Sequence, residues 1–144
     1  MTRMKWIPAL VLTCWAATGP ALAGDWRELQ REQGMALGIE TSGLIRTGDN
    51  LEVDFIVALL PERHLPIYSI MRLKVDCSTL AVVVGGGQYY LANGDPFGAK
   101  QADVPGETFE EDGLLTDLCD GVMPAGPGVD SANAFFQAVQ IEDD

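Results

Sequence analysis

Leu51-Glu52-Val53-Asp54-Phe55-Ile56-Val57-Ala58-Leu59-Leu60 and, after a Pro-flanked break, Ser69-Ile70-Met71-Arg72-Leu73-Lys74-Val75-Asp76-Cys77 together decide the fold of this chain. In the first stretch Leu51, Val53, Phe55, Val57 and Leu59 fall on one side of a period-two pattern, with Glu52 and Asp54 on the other. Successive side chains of a strand point to opposite faces, so this alternation marks a half-buried strand. In the second stretch Met71, Leu73, Val75 and Cys77 share one face, and Arg72, Lys74 and Asp76 share the other. An antiparallel hairpin whose paired residue numbers sum to 126 sets Phe55 against Met71, Val53 against Leu73 and Leu51 against Val75. The same register sets Asp54 against Arg72 and Glu52 against Lys74. Apolar pairs inside and opposite charges outside are what cross-strand neighbours favour. Cys77 then points inward, toward whatever packs on the sheet.

Working outward, residues 26–32 suit an edge strand, and 35–40 and 44–46 give two short extended pieces. Thr47-Gly48-Asp49-Asn50 is a turn cluster. Residues 80–84 are continuously apolar, as for a central strand. Gly85-Gly86-Gly87 then implies a bulge or a close backbone approach. Tyr89 and Tyr90 resume the strand on opposite faces, and 92–107 reads as loop. Thr108-Phe109-Glu110-Glu111 matches a capping box opening a short helix, with Leu114, Leu115 and Leu118 on its buried side and Cys119 at its end. Met123-Pro124-Ala125-Gly126-Pro127-Gly128 is a linker by composition. Beyond it Asp130 or Ser131 can cap a helix in which Ala132, Phe135, Phe136 and Val139 recur at helical spacing. About ten residues do not hold a helix alone in water. Its apolar face, Phe135, Phe136 and Val139, is therefore a candidate interaction face that docks on its own domain, on a second copy by self-association, or on a partner. The fold class is α+β: an antiparallel sheet of about five to six strands with a short helix packed on it and a helical tail.

The chain has 144 residues, 9 basic and 21 acidic, for a formal charge of −12. Residues 1–23 read as a secretory signal peptide, with Arg3 and Lys5, an apolar stretch from Trp6 to Ala17, and Ala21-Leu22-Ala23 before a cut after Ala23. A lipoprotein route through Cys14 competes, but Thr13 and the short apolar run before it fit that route less well. About 12 apolar residues do not span roughly 30 Å of hydrocarbon, so no transmembrane segment is expected. The cut removes two basic residues and no acidic ones, leaving 121 residues at −14. Residues 24–121 form one domain, followed by the linker and tail helix of 122–144. Such a charge excludes nucleic acid, whose phosphates need cations, and adsorption to anionic lipid. The remaining cysteines, Cys77 and Cys119, are most simply one disulfide in an exported chain. A metal or redox pair is the alternative, with neither a C-x-x-C spacing nor a second histidine to support it. A bridge would clamp the short helix to the sheet.

Catalytic chemistry has little to work with. Ser-His-Asp or Cys-His arrangements would have to use His64, the one histidine, which sits in a Pro-flanked loop. Glu52 and Asp54 are the best-placed carboxylates, yet Lys74 and Arg72 answer them. Asp49-Asn50 with Glu52 and Asp54 offers oxygens for calcium but lacks the EF-hand pattern. Gly85-Gly86-Gly87 has no Lys-Ser/Thr after it and is not a phosphate loop. No catalytic residue, metal or cofactor is assigned, and the chain is expected not to be an enzyme.

The order of features carries a resemblance. Trp26 near the mature start, Leu44-Ile45-Arg46 ahead of Gly48-Asp49, Val75-Asp76-Cys77-Ser78, the Tyr89-Tyr90 strand with Gly94 after it, and a closing Leu118-Cys119 follow one another. Over about residues 25–120 this resembles the surface-adhesin protein E family of Gram-negative bacteria. The tryptophan that members often carry before the final helix is missing, and the tail from Met123 has no counterpart there. The resemblance implies an antiparallel sheet, a helix on it, one disulfide from the Asp-Cys strand to that helix, and attachment to host proteins. The expected function is a non-enzymatic periplasmic or cell-surface module binding an unknown protein partner. The other expectation is an acidic inhibitor or chaperone-like partner of a basic periplasmic or secreted enzyme, whose association long-range attraction would speed.

Overall fold

A computed structural model of the chain describes residues 24–32, 34–60, 67–105 and 113–141. The segment expected as a signal peptide, His64, the expected capping box at 108–111 and the final three acidic residues lie outside the described residues. The elements are β1 (Trp26–Glu32), β2 (Met35–Glu40), β3 (Ile45–Thr47), β4 (Asn50–Leu59), β5 (Ile67–Asp76), β6 (Ala81–Leu91), β7 (Pro96–Phe97), β8 (Val104–Pro105), α1 (Gly113–Cys119) and α2 (Ala132–Ile141). One antiparallel sheet runs β1-β2-β4-β5-β6-β7, with β3 added to β4 and β8 to β6. The fold is α+β, as the alternation implies. The stretch expected as loop between 92 and 107 instead contributes β7 and β8. Each is two residues long, too short for any period to register.

β4 and β5 pair from Asn50 opposite Asp76 to Ala58 opposite Tyr68, the register that the charge and apolar pairs dictate. The two faces of the sheet can be named from β4. Odd-numbered residues Leu51 and Val53 join Ile39, Val75, Val82, Leu115, Leu118 and Cys119 in one buried cluster, so α1 covers that face at the start of β4. Even-numbered Ile56 and Ala58, with Leu60, join Trp26, Ala36, Tyr68, Phe135, Phe136 and Val139 in a second cluster, so α2 covers the opposite face at the other end. Cys77 and Cys119 are bonded, with Cα atoms 5.6 Å apart across 42 residues, and tie α1 to the end of β5.

The triple glycine is a bulge. The β5–β6 register shifts between Ile70 and Arg72, opposite Gly86 and Gly87. A Cβ on Gly85 would lie 3.1 Å from the Arg72 carbonyl, and one on Gly87 3.1 Å from Met71 Cγ. The extra residue changes parity, so Val82 and Val84 share a face with Tyr89 instead of Tyr90.

The tail is part of the sheet domain and not a separate unit. Trp26 N donates to Val129 O at 2.8 Å and Val129 N to Trp26 O at 3.0 Å, pairing the linker with the edge strand. Ser131 is the N-cap: its Oγ accepts from Ala134 N at 3.1 Å. Asn133 and Gln137 donate to the Ala92 carbonyl at 3.0 and 2.8 Å. Gly38 lets α2 approach, since a Cβ there would stand 2.6 Å from the Phe135 ring. Among the described residues no helix is long and apolar enough to cross a membrane.

Candidate functional site

Two helices on opposite faces, at opposite ends, divide the sheet into four quadrants. Two are covered, and the chemistry of the other two differs. On the even face beside Glu52 and Asp54, strands β4 and β5 present charges to water. Arg72 Nη1 donates to Asp54 Oδ1 at 2.9 Å and Arg72 Nε to Glu52 Oε2 at 3.2 Å. The Glu52 hydrogen bond is the largest influence and raises the guanidinium's proton affinity; burial opposes it, and Asp54 beside it adds to the rise. A half-exposed pair of this kind stabilises by about 0–1 kcal/mol. Lys74 stands opposite Glu52 in the register, but Arg72 bonds both carboxylates. These acids are therefore held as a solvated face and not poised for acid–base work.

The fourth quadrant, on the odd face at the end of β4, is apolar. Register sets Met35 against Leu59 and Leu37 against Val57 between β2 and β4. It sets Val57 against Ser69 and Phe55 against Met71 between β4 and β5. Ile67 stands against Leu91, Ser69 against Tyr89, and Tyr89 against Phe97. Met35, Leu37, Val57, Leu59, Ile67, Met71 and Tyr89 are half-buried and belong to neither core cluster. Leu91 and Phe97, 37% and 49% exposed, extend the same surface. At its centre Ser69 is buried, a small side chain ringed by larger ones. Among the described residues no element packs on this quadrant.

The interaction face expected on the tail helix is occupied within the chain. Phe135, Phe136 and Val139 are buried in the chain's own second core cluster. Tyr68 stacks on Tyr90 with ring centroids 5.2 Å apart and lies 5.1 Å from Phe136. The helix thus docks in cis, and its apolar side offers no free surface. A groove of about 490 Å³ beside α2 is floored by Trp26, Leu29, Phe135 and Val139. The Glu28–Arg31 ion pair at 2.8 Å lies along its rim and charges the β1 edge against strand addition.

Glu40 is a functional-looking carboxylate that turns out to hold structure. It is buried at 9% exposure, and its oxygens accept from Asp25 N (2.7 Å), Ser42 N (3.0 Å), Gly43 N (2.5 Å) and Ser42 Oγ. Burial pushes its carboxyl up, but the donors together outweigh this and hold it below the usual range. The Thr41-Ser42-Gly43 turn was the visible signal; the Asp25 donor, 15 residues away, was not. Asp25 is also lowered, by its bonds to Arg27 and then Thr41. A depressed carboxylate stabilises the fold above its unfolded value, here 4.5, and that stability disappears as pH falls through the lower folded value. Glu40→Gln is expected to destabilise by about 2 kcal/mol at pH 7, since buried N–H groups lose acceptors. The gap to the parent chain should narrow below pH 4, measured by urea unfolding at pH 7 and pH 3. A gap of equal size at both values would show that the charge is not what these donors need.

Cys77 and Cys119 are both consumed by the disulfide. Comparison with protein-family models, with curated proteins and with solved structures finds no match, so the chemistry of this chain is read from its own residues.

Proposed function

We propose that this chain is a non-enzymatic, exported envelope module of the surface-adhesin protein E kind, whose work is to bind another protein. The observation that carries the reading is the apolar quadrant around Ser69 that no described element covers, because water-exposed sheet faces are otherwise polar, as Glu52, Asp54 and Arg72 demonstrate on the opposite face. Contiguous exposed apolar surface rimmed by polar residues is characteristic of interaction sites. A disulfide is compatible with the oxidising compartment an exported chain enters. The charge of −12 favours a second reading, an acidic inhibitor or chaperone-like partner of a basic enzyme.

Cross-linking and affinity capture from envelope extract at low and high salt separates the two. A partner retained at 1 M salt, where the screening length falls to about 3 Å, supports apolar docking. Loss of the partner as salt rises supports the electrostatic reading. Recovery of no specific partner at either salt overturns both.

A further inference from the structure

We propose that the quadrant around Ser69, which no described element covers, is the seat for a short, basic, amphipathic helix of a partner protein; this rests on the protein-binding reading and names the partner's chemistry. Three observations converge on that occupant. The first is precedent within the molecule: each covered quadrant of this sheet is covered by one helix, α1 over Leu51, Val53 and Val75, and α2 over Ile56, Ala58 and Tyr68. The second is size. The quadrant crosses five strands, β2 to β7 in sheet order, or about 19 Å at 4.8 Å per step. A helix of about 13 residues has that length. Along β5 the apolar row from Ile67 to Met71 is about 13 Å, a little more than a helix diameter. The resulting footprint, on the order of 300 Å², falls well short of the roughly 800 Å² per partner of a stable interface between whole proteins. A second copy of this chain, itself at −12, would add repulsion to that deficit.

The third is charge and relief. Glu32 stands opposite Met35 at one end of the outer row, its carboxylate accepting from Gln30 Nε2 at 2.6 Å; Asp95 stands at the other, its backbone carbonyl accepting from Leu91 N and its carboxylate from Asn93 Nδ2, both at 2.9 Å. Cations at the two ends of the docked helix would meet both carboxylates. Ser69, the one small side chain between Val57, Ile67, Met71 and Tyr89, is where one apolar side chain of a docked helix would pack. Apolar contact then holds the helix and the carboxylates orient it.

The test uses the full exported chain and a 14-residue helical peptide of leucine and lysine with its leucines on one face. A second peptide carries glutamate for lysine. The lysine peptide is expected to bind, with amide shifts at Leu37, Val57, Ser69 and Tyr89, and the glutamate peptide to bind at least 10-fold more weakly. Met71→Lys should weaken the lysine peptide about 10-fold. Glu32→Lys, on an exposed side chain that the fold does not need, should weaken it about 3-fold. Shifts confined to acidic loops, or an affinity unchanged by both variants, overturn the proposal. So does a concentration-dependent dimer abolished by Met71→Lys, which would give the face to a second copy. A partner captured from envelope extract and retained equally by Met71→Lys would leave protein binding standing and this seat refuted. Peptide docking at the quadrant with no envelope partner would do the reverse.

Discussion

Phe136→Ala is expected to destabilise the whole domain by about 4 kcal/mol, the range for deleting a buried aromatic ring where the cavity does not collapse. Phe136 is 1% exposed and sits between Tyr68, 5.1 Å away ring to ring, and the β4 residues Ile56 and Ala58. The magnitude follows from how the site is walled. Its neighbours on one side are strand residues fixed by hydrogen bonds from β2 through β6, which do not move in to fill the space. At this size a loss of 4 kcal/mol lowers the melting temperature by roughly 10–20 °C. Trp26 is a convenient reporter, since it lies in the same cluster and is the one tryptophan among the described residues. Unfolding followed by Trp26 fluorescence and by far-ultraviolet circular dichroism should shift together. If instead the tail were an appendage, Phe136→Ala would melt about ten residues of helix and leave the sheet transition where it was.

That the tail is integral was partly legible beforehand. The even-numbered residues of β4 run Glu52, Asp54, Ile56, Ala58, and those of β5 run Asp76, Lys74, Arg72, Ile70, Tyr68. Both lines switch from charged to apolar at the same place in the register, Asp54–Arg72 against Ile56–Ile70. The switch marks the border of the α2 footprint. It was present in the sequence, but assigning it to the tail requires knowing that a helix 60 or more residues away crosses this face, and periodicity carries no such long-range information. The hairpin register, by contrast, was fully legible, because a one-residue slip would have put Asp54 and Glu52 against apolar partners. The odd line misled by its uniformity. Leu51 through Leu59 reads as one buried face, yet α1 covers only its first half. The glycine bulge was expected, but its consequence was not: the change of parity is what brings Tyr89 and Leu91 onto the same surface as Ile67 and Met71. That surface, the candidate site, is assembled from strands β2, β4, β5, β6 and β7, and no single segment displays it.

Removing the disulfide, by Cys77→Ser with Cys119→Ser or by reduction, should lower stability by about 4 kcal/mol in the chain-entropy model for a closed loop of this length. The bridge spans 42 residues. Its structural consequence is more specific than the number. α1 has seven residues, too few to persist alone. Among the described residues, Leu115 and Leu118, buried against Leu51, Val53 and Val75, and the Arg46 guanidinium, which donates to the Cys119 carbonyl at the helix C-terminus, also hold it. With Cys119→Ser the short helix loses its covalent tie and keeps only packing and non-covalent contacts. Without the bridge α1 should detach for part of the time and uncover the quadrant beneath it, so the odd face becomes apolar and open along its full length. Binding of a hydrophobic dye should then rise while the Trp26 environment, on the other face, changes little below the transition. A loss under 1 kcal/mol with no gain in dye binding would mean that packing alone holds α1. The two clusters are separated by the sheet and share no residue. The Phe136→Ala and disulfide effects should therefore add to within about 0.5 kcal/mol. Their sum, about 8 kcal/mol, is comparable to the entire 5–15 kcal/mol stability of an ordinary domain, so the combined variant should be largely unfolded at 37 °C.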